Sequence, residues 1–171
     1  MPTAPADYQA RYPIDFGDID PRARHRVVQL YAEDRAKSRG VLWLPPEGRP
    51  RTCVIMSHPR GDFSTHYSIP FWIEAGFAAF ALNTRYLNND STMLHENLLL
   101  DIAAAMKFLR EEEGFAHIVM LGNSGGGSLF AYYDSQARTP KSGRVAAPPG
   151  GGSPDLNRFE LPTADGFIVL A

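Results

Sequence analysis

The chain has 171 residues, 44% of them hydrophobic and 11% aromatic. That is enough apolar surface for a packed core, and it excludes a disordered or fibrous chain. Its 17 Lys and Arg against 19 Asp and Glu give a net charge of −2 with no block of like charge, so the basic footprint that a nucleic-acid partner requires is absent. The length fits one domain or a piece of one.

Residues 1–24 are polar, rich in Pro, Asp and Arg, and read as an irregular entry segment. They contain no apolar stretch of the secretory type. No run anywhere reaches the ~18 apolar residues that a membrane span needs, so no membrane partner and a cytoplasmic location are expected. Residues 27–32 read as a strand, 33–38 as a polar turn, and 40–44 as the hairpin partner that Pro45-Pro46 terminates. Thr52-Cys53-Val54-Ile55-Met56-Ser57 is continuously apolar and β-branched, the pattern of a strand covered on both faces. Its lone Cys53 reads as a small buried hydrophobe.

The loop His58-Pro59-Arg60-Gly61-Asp62 leads into a helical segment around residues 67–75, with Gly76 as its C′ residue. Residues 77–82 form a second buried strand, and Phe71, Trp72, Phe77 and Phe80 are expected to fill core between helix and sheet. A helix over 94–112 places Leu98, Leu99, Ile102, Ala105, Met106 and Leu109 on one face and ends at Gly114. Residues 117–121 make a third buried strand, 122–127 a glycine-rich turn, and a helix runs from Ser128 to about Ala137. Residues 139–154 hold four Pro and four Gly in sixteen positions and read as a loop without a core of its own. Residues 165–171 read as the start of another buried parallel strand. Strands alternating with helices over short connections predict an α/β fold: a mostly parallel sheet with flanking helices and an N-terminal antiparallel hairpin.

Chemistry concentrates at Gly122-Asn123-Ser124-Gly125-Gly126, a G-x-S-x-G run between a buried strand and a helix. A serine lifted above a sheet sits on a tight turn with positive φ, where side chains at positions 122 and 126 would collide. The helix behind Ser124 directs N–H groups and its positive dipole end at an oxyanion, with the Gly125 N–H as first donor. A second donor is expected from the Arg60 or Gly61 backbone, where Gly61 permits close approach. For His58 itself, bonding loop backbone is favoured over catalysis. A phosphate loop would need a lysine where Gly127-Ser128-Leu129 stands, and a dinucleotide fingerprint is broken at Phe130. A purely structural glycine turn is the remaining alternative. No His, Cys, Asp and Glu grouping has metal-ligand spacing, so neither metal nor cofactor is expected.

With these residues in place, the chain resembles the α/β-hydrolase family over roughly residues 26–171, through its element order, the elbow Gly122-Asn123-Ser124-Gly125-Gly126 and the loop His58-Pro59-Arg60-Gly61. The loop departs from the His-Gly more usual there. The resemblance implies a serine hydrolase, most often an esterase, in which Ser124 attacks a small-molecule acyl substrate and forms an acyl-enzyme. It also implies that residues 25–171 are the N-terminal part of such a domain. A non-catalytic binding protein and an acyltransferase on the same scaffold are the alternatives.

The family's order is Ser, then acid, then His. All five histidines (25, 58, 66, 95 and 117) precede Ser124. Of the carboxylates that follow, Asp165 falls at the wrong end of its strand and Asp134 reads as a solvated helix residue. The acid and His are therefore expected from a further C-terminal segment or a second chain, which makes the fold incomplete at its C-terminus. His58 or His66 could substitute only if their loop folded over Ser124. Asn83, Arg85 and Tyr86 fall at the expected mouth, where Arg85 is assigned to bracing rather than substrate binding.

Overall fold

A computed structural model describes residues 18–147, 151–152 and 154–170. Most of the irregular segment 1–24 and part of the 139–154 loop lie outside these residues. Six strands form one sheet: β1 (Arg24–Tyr31), β2 (Lys37–Leu44), β3 (Thr52–His58), β4 (Ala78–Asn83), β5 (His117–Asn123) and β6 (Gly166–Leu170). Their spatial order is β1-β2-β4-β3-β5-β6. The β1–β2 hairpin is antiparallel and β2 runs antiparallel to β4, while β4, β3, β5 and β6 are mutually parallel. This is the α/β architecture that the sequence pattern implies.

Three helices cover the sheet: α1 (Ile69–Glu74), α2 (His95–Lys107) and α3 (Gly125–Arg138). The central strands β3, β4 and β5 are largely apolar because both faces are covered, whereas β1, β2 and β6 keep exposed positions, so the strand at 165–171 is only partly buried rather than buried as expected. On one face Cys53, Ile55, Phe80, Leu82, Ile118 and Met120 pack with Leu98, Ile102 and Met106 of α2 and Leu129, Phe130 and Tyr133 of α3. On the other, Val54, Met56, Ala79, Ala81 and Leu121 pack with Ile69 and Ile73 of α1. Each fully buried Leu, Ile or Phe contributes about 2 kcal/mol. The predicted face of the 94–112 helix is buried in full, although its last turn, Phe108–Glu112, widens into a π-helix.

Three local expectations are corrected. α1 starts at Ile69 rather than near 67, because Pro70 fits only the first turn and residues 63–68 are folded into side-chain-bonded turns. α3 begins at Gly125 rather than Ser128, so the glycine run is itself the first helical turn. Phe71 and Phe77 are 47% and 37% exposed and do not fill core, whereas Phe80 is fully buried. The 139–154 loop is tied down where described. Its Val145 packs on the core, and Arg144 donates to the carbonyls of Gln136, Thr139 and Phe159. Gly76 has the positive φ of a C′ residue, 82°.

Candidate active site

The functional groups singled out in the sequence collect at the carboxyl end of the parallel strands. β5 delivers Asn123, and the chain then reverses into α3 through Ser124, which has φ 54° and ψ −129°. Such a backbone costs a non-glycine residue on the order of 1–3 kcal/mol and persists only where its surroundings enforce it. They do so here. The Ser124 N–H donates to the Leu170 carbonyl of β6, and the Ser124 carbonyl accepts from the Gly127 N–H at 3.0 Å. The side chain is exposed, and no described residue hydrogen-bonds its hydroxyl.

The two flanking glycines make this turn possible for different reasons. A Cβ on Gly122 would lie 2.5 Å from the Cα of Gly127, a collision across the turn. A Cβ on Gly126 would instead lie 2.2 Å from the carbonyl oxygen of Ser57, so this glycine lets the start of α3 rest directly on β3. The Gly125 N–H, in the first turn of α3, donates to no described residue.

The loop after β3 departs from expectation. The N–H groups of Gly61 and Arg60 both turn onto His58 Nδ1, at 2.9 and 3.2 Å. They are therefore spent on the imidazole rather than presented as free oxyanion donors. The physical reason is that Pro59 and Gly61 allow a tight turn in which the ring of His58 caps its own loop. Arg60 points its guanidinium outward to Asp90 at 2.7 Å. Burial, helped by the Arg60 charge, holds His58 below the ordinary imidazole pKa.

The second histidine of this loop, His66, is buried between the rings of Phe63 and Tyr67. Its Nδ1 accepts the Ser68 N–H, so the ring proton resides on Nε2, which faces Asn123 Oδ1 at 3.3 Å. His66 thus touches the residue before Ser124. Burial lowers its pKa and outweighs the opposing effect of the Asn123 bond. Asn83, the last residue of β4, organises the same loop. It accepts the Phe63 N–H and donates to Asp62 and Ser64. An asparagine closing an otherwise apolar strand is the signal that could have revealed this role.

Other candidates are placed elsewhere. Arg85 is locked between Asp101 and Asp34, a bracing role. Asp101 went unnoticed in the sequence. A carboxylate among Leu98, Leu99 and Ile102 on the core face of a helix was its signal. Asp165 takes the Ile118 N–H and the Arg110 guanidinium at the amino end of β5, far along the strand from Ser124. Asp134 pairs with Arg138 on α3, with one carboxylate oxygen buried rather than solvated. A cleft of about 680 Å³ lined by Asp18, Glu47, Phe71 and Glu74 also lies at the amino end of the sheet and contains none of the elbow residues. Among the described residues, no group of His, Cys, Asp and Glu could hold a metal ion, and no helix is long and apolar enough to cross a membrane.

No protein-family model and no curated protein matches the chain. Solved structures do match. The chain is similar to a hypothetical protein from Pseudomonas aeruginosa at 17% identity and TM-score 0.59, over 77% of this chain and 43% of that one. It is similar to a cold-adapted esterase from an Arctic intertidal metagenomic library at 24% identity and TM-score 0.52, over 67% and 55% of the two chains. It is also similar to brefeldin A esterase, a bacterial homologue of human hormone-sensitive lipase, at 18% identity and TM-score 0.55, over 74% and 39%. The matched region thus spans about half, or less, of the length of these proteins.

Proposed function

This chain has the α/β-hydrolase fold, and from that premise we propose that it is a serine hydrolase acting on a small carboxylic ester, with Ser124 as nucleophile. The observation that carries the reading is the backbone of Ser124: a strained positive φ that raises an exposed hydroxyl, bonded by no described residue, between β5 and the start of α3. A structural turn has no need to hold that strain at a serine. In the reaction, Oγ attacks the ester carbonyl carbon and its proton passes to a general base. The tetrahedral oxyanion lies against the Gly125 N–H and the positive end of α3. Collapse breaks the bond to the alkoxy group, which leaves as the alcohol after taking up the proton. Water then releases the acid from the acyl-enzyme.

The base is not His58 or His66. In each neutral ring Nδ1 accepts backbone N–H and Nε2 carries the proton, so neither offers a lone pair to Ser124. We assign base and acid partner to a further segment or a second chain, which the share of the esterases covered by this chain supports.

The test is fluorophosphonate labelling and intact-mass analysis of the chain together with the segment or second chain that supplies the base, beside hydrolysis of p-nitrophenyl acetate with and without added alcohol. One adduct, lost in Ser124→Ala, is expected. Label that survives the substitution would move the nucleophile away from Ser124, and no label with no acyl transfer would leave the scaffold as a binding protein. Ester product formed on the added alcohol in preference to free acid would make it an acyltransferase.

A further inference from the structure

The turn of Arg60 and Gly61 onto His58 removes the two backbone donors expected opposite Gly125, yet an oxyanion needs more than one donor to be held in place. We propose that the imidazole of His58, through its Nε2–H, is the second oxyanion donor. This rests on the assignment of Ser124 as nucleophile.

Strand register brings the ring to the site. β3 and β5 are parallel with Met56 opposite Leu121, so two residues further along His58 comes level with Asn123, next to Ser124. Hydrogen bonding then fixes the tautomer. A nitrogen that accepts two N–H groups must keep its lone pair, which leaves the single proton of the neutral ring on Nε2. Donation into Nδ1 also polarises the ring and strengthens Nε2–H as a donor.

The glycine seat gives the ring its aim. A Cβ on Gly125 would fall 2.8 Å from His58 Nε2 and 3.3 Å from its Cδ2, so the protonated edge lies against the bare Cα whose own N–H is the first donor. The Nε2 edge of His58 thus lies beside the residue that follows Ser124. No described residue accepts the Nε2 proton, and the tilted Phe63 ring, 5.6 Å away between centroids, backs the imidazole. Burial keeps the ring neutral near pH 7, so it donates without serving as a competing base.

The experiment uses methylboronic acid, which forms a tetrahedral boronate on a reactive serine, and nitrogen-15 NMR of the histidine rings. Before addition, His58 Nε2 should be the protonated nitrogen. On adduct formation its proton should move downfield and exchange more slowly with water. His58→Asn keeps an acceptor near the Nδ1 position and lacks the distal donor. It should weaken the boronate about 100-fold at unchanged melting temperature, and His58→Gln, whose amide nitrogen reaches the Nε2 position, should recover much of the loss. A proton found on Nδ1, or a boronate on Ser124 that leaves the His58 ring and the Asn variant's affinity unmoved, overturns the donor role and leaves the nucleophile standing. Boronate binding that is equal in Ser124→Ala overturns both.

Discussion

β4 and β5 lie on either side of β3 and both end at the carboxyl edge of the sheet, and each hands the chain to a polar residue, yet the two ends do opposite things. After β4, Arg85 spends its guanidinium on structure: Nε and one terminal nitrogen donate to Asp101, at 2.9 and 2.8 Å, and both terminal nitrogens reach Asp34. The Arg85 N–H goes to Asp101 as well. The cluster ties the β1–β2 turn to α2, and the two carboxylates raise the Arg85 pKa against the opposing pull of burial. Burial pushes Asp101 up despite the guanidinium, whereas on Asp34 the Arg85 and Ala36 hydrogen bonds outweigh burial and pull it down. After β5, the Ser124 hydroxyl and the Gly125 N–H have no described partner. A charged residue at a sheet's mouth is not a site when its donors are satisfied. In the proposed function a neutral serine takes that place, because strain and a helix terminus leave its groups open.

Substitutions separate the two ends. Ser124→Ala should abolish fluorophosphonate labelling while moving the urea midpoint little, since the hydroxyl supports nothing. Asp101→Ala should do the reverse. It leaves a buried guanidinium with one partner and should cost about 3–5 kcal/mol in urea unfolding, with labelling per folded molecule retained. Gly126→Ala forces a methyl group into the Ser57 carbonyl and should cost about 3 kcal/mol while displacing α3, so stability and labelling fall together. Ser124→Gly should raise stability by about 1 kcal/mol by relieving the positive φ, which would show that the strain is held for chemistry.

The smallest expected effect is on pH dependence. His58 and His66 are both held below the ordinary imidazole value, so just below about pH 6.5 the unfolded chain binds more protons than the folded one. Their contribution to stability is complete above that pH and is lost as the pH falls through it. Urea midpoints between about pH 7.5 and 5.5 should decline toward acid, and His66→Gln should flatten the decline. A midpoint independent of pH in this window would mean that the rings are not kept neutral by the fold.

Much of this arrangement was legible because its causes are local. Apolar runs such as Thr52–Ser57 and 77–82 can only be strands covered on both faces, and the Leu98-Leu99-Ile102-Met106 spacing can only be one face of a helix. Position 124, between a buried strand and a helix, follows from the same reading, as does the placement of Asp165 at the amino end of its strand. Periodicity does not say whether an aromatic side chain meets a neighbour, and Phe71 and Phe77 accordingly face solvent.

The sequence by itself determined the element order, the glycine-flanked serine and the absence of any histidine after it, because these depend on covalent neighbours and on short-range backbone preference. Only the tertiary structure decided that β4 lies between β2 and β3, that Arg85 finds Asp34 and Asp101, and that the Arg60 and Gly61 N–H groups turn to His58. Each of these is a choice among partners far apart in the chain or among several directions open to one loop. Burial and hydrogen-bond satisfaction select among such alternatives only when the whole sheet and its helices are in place.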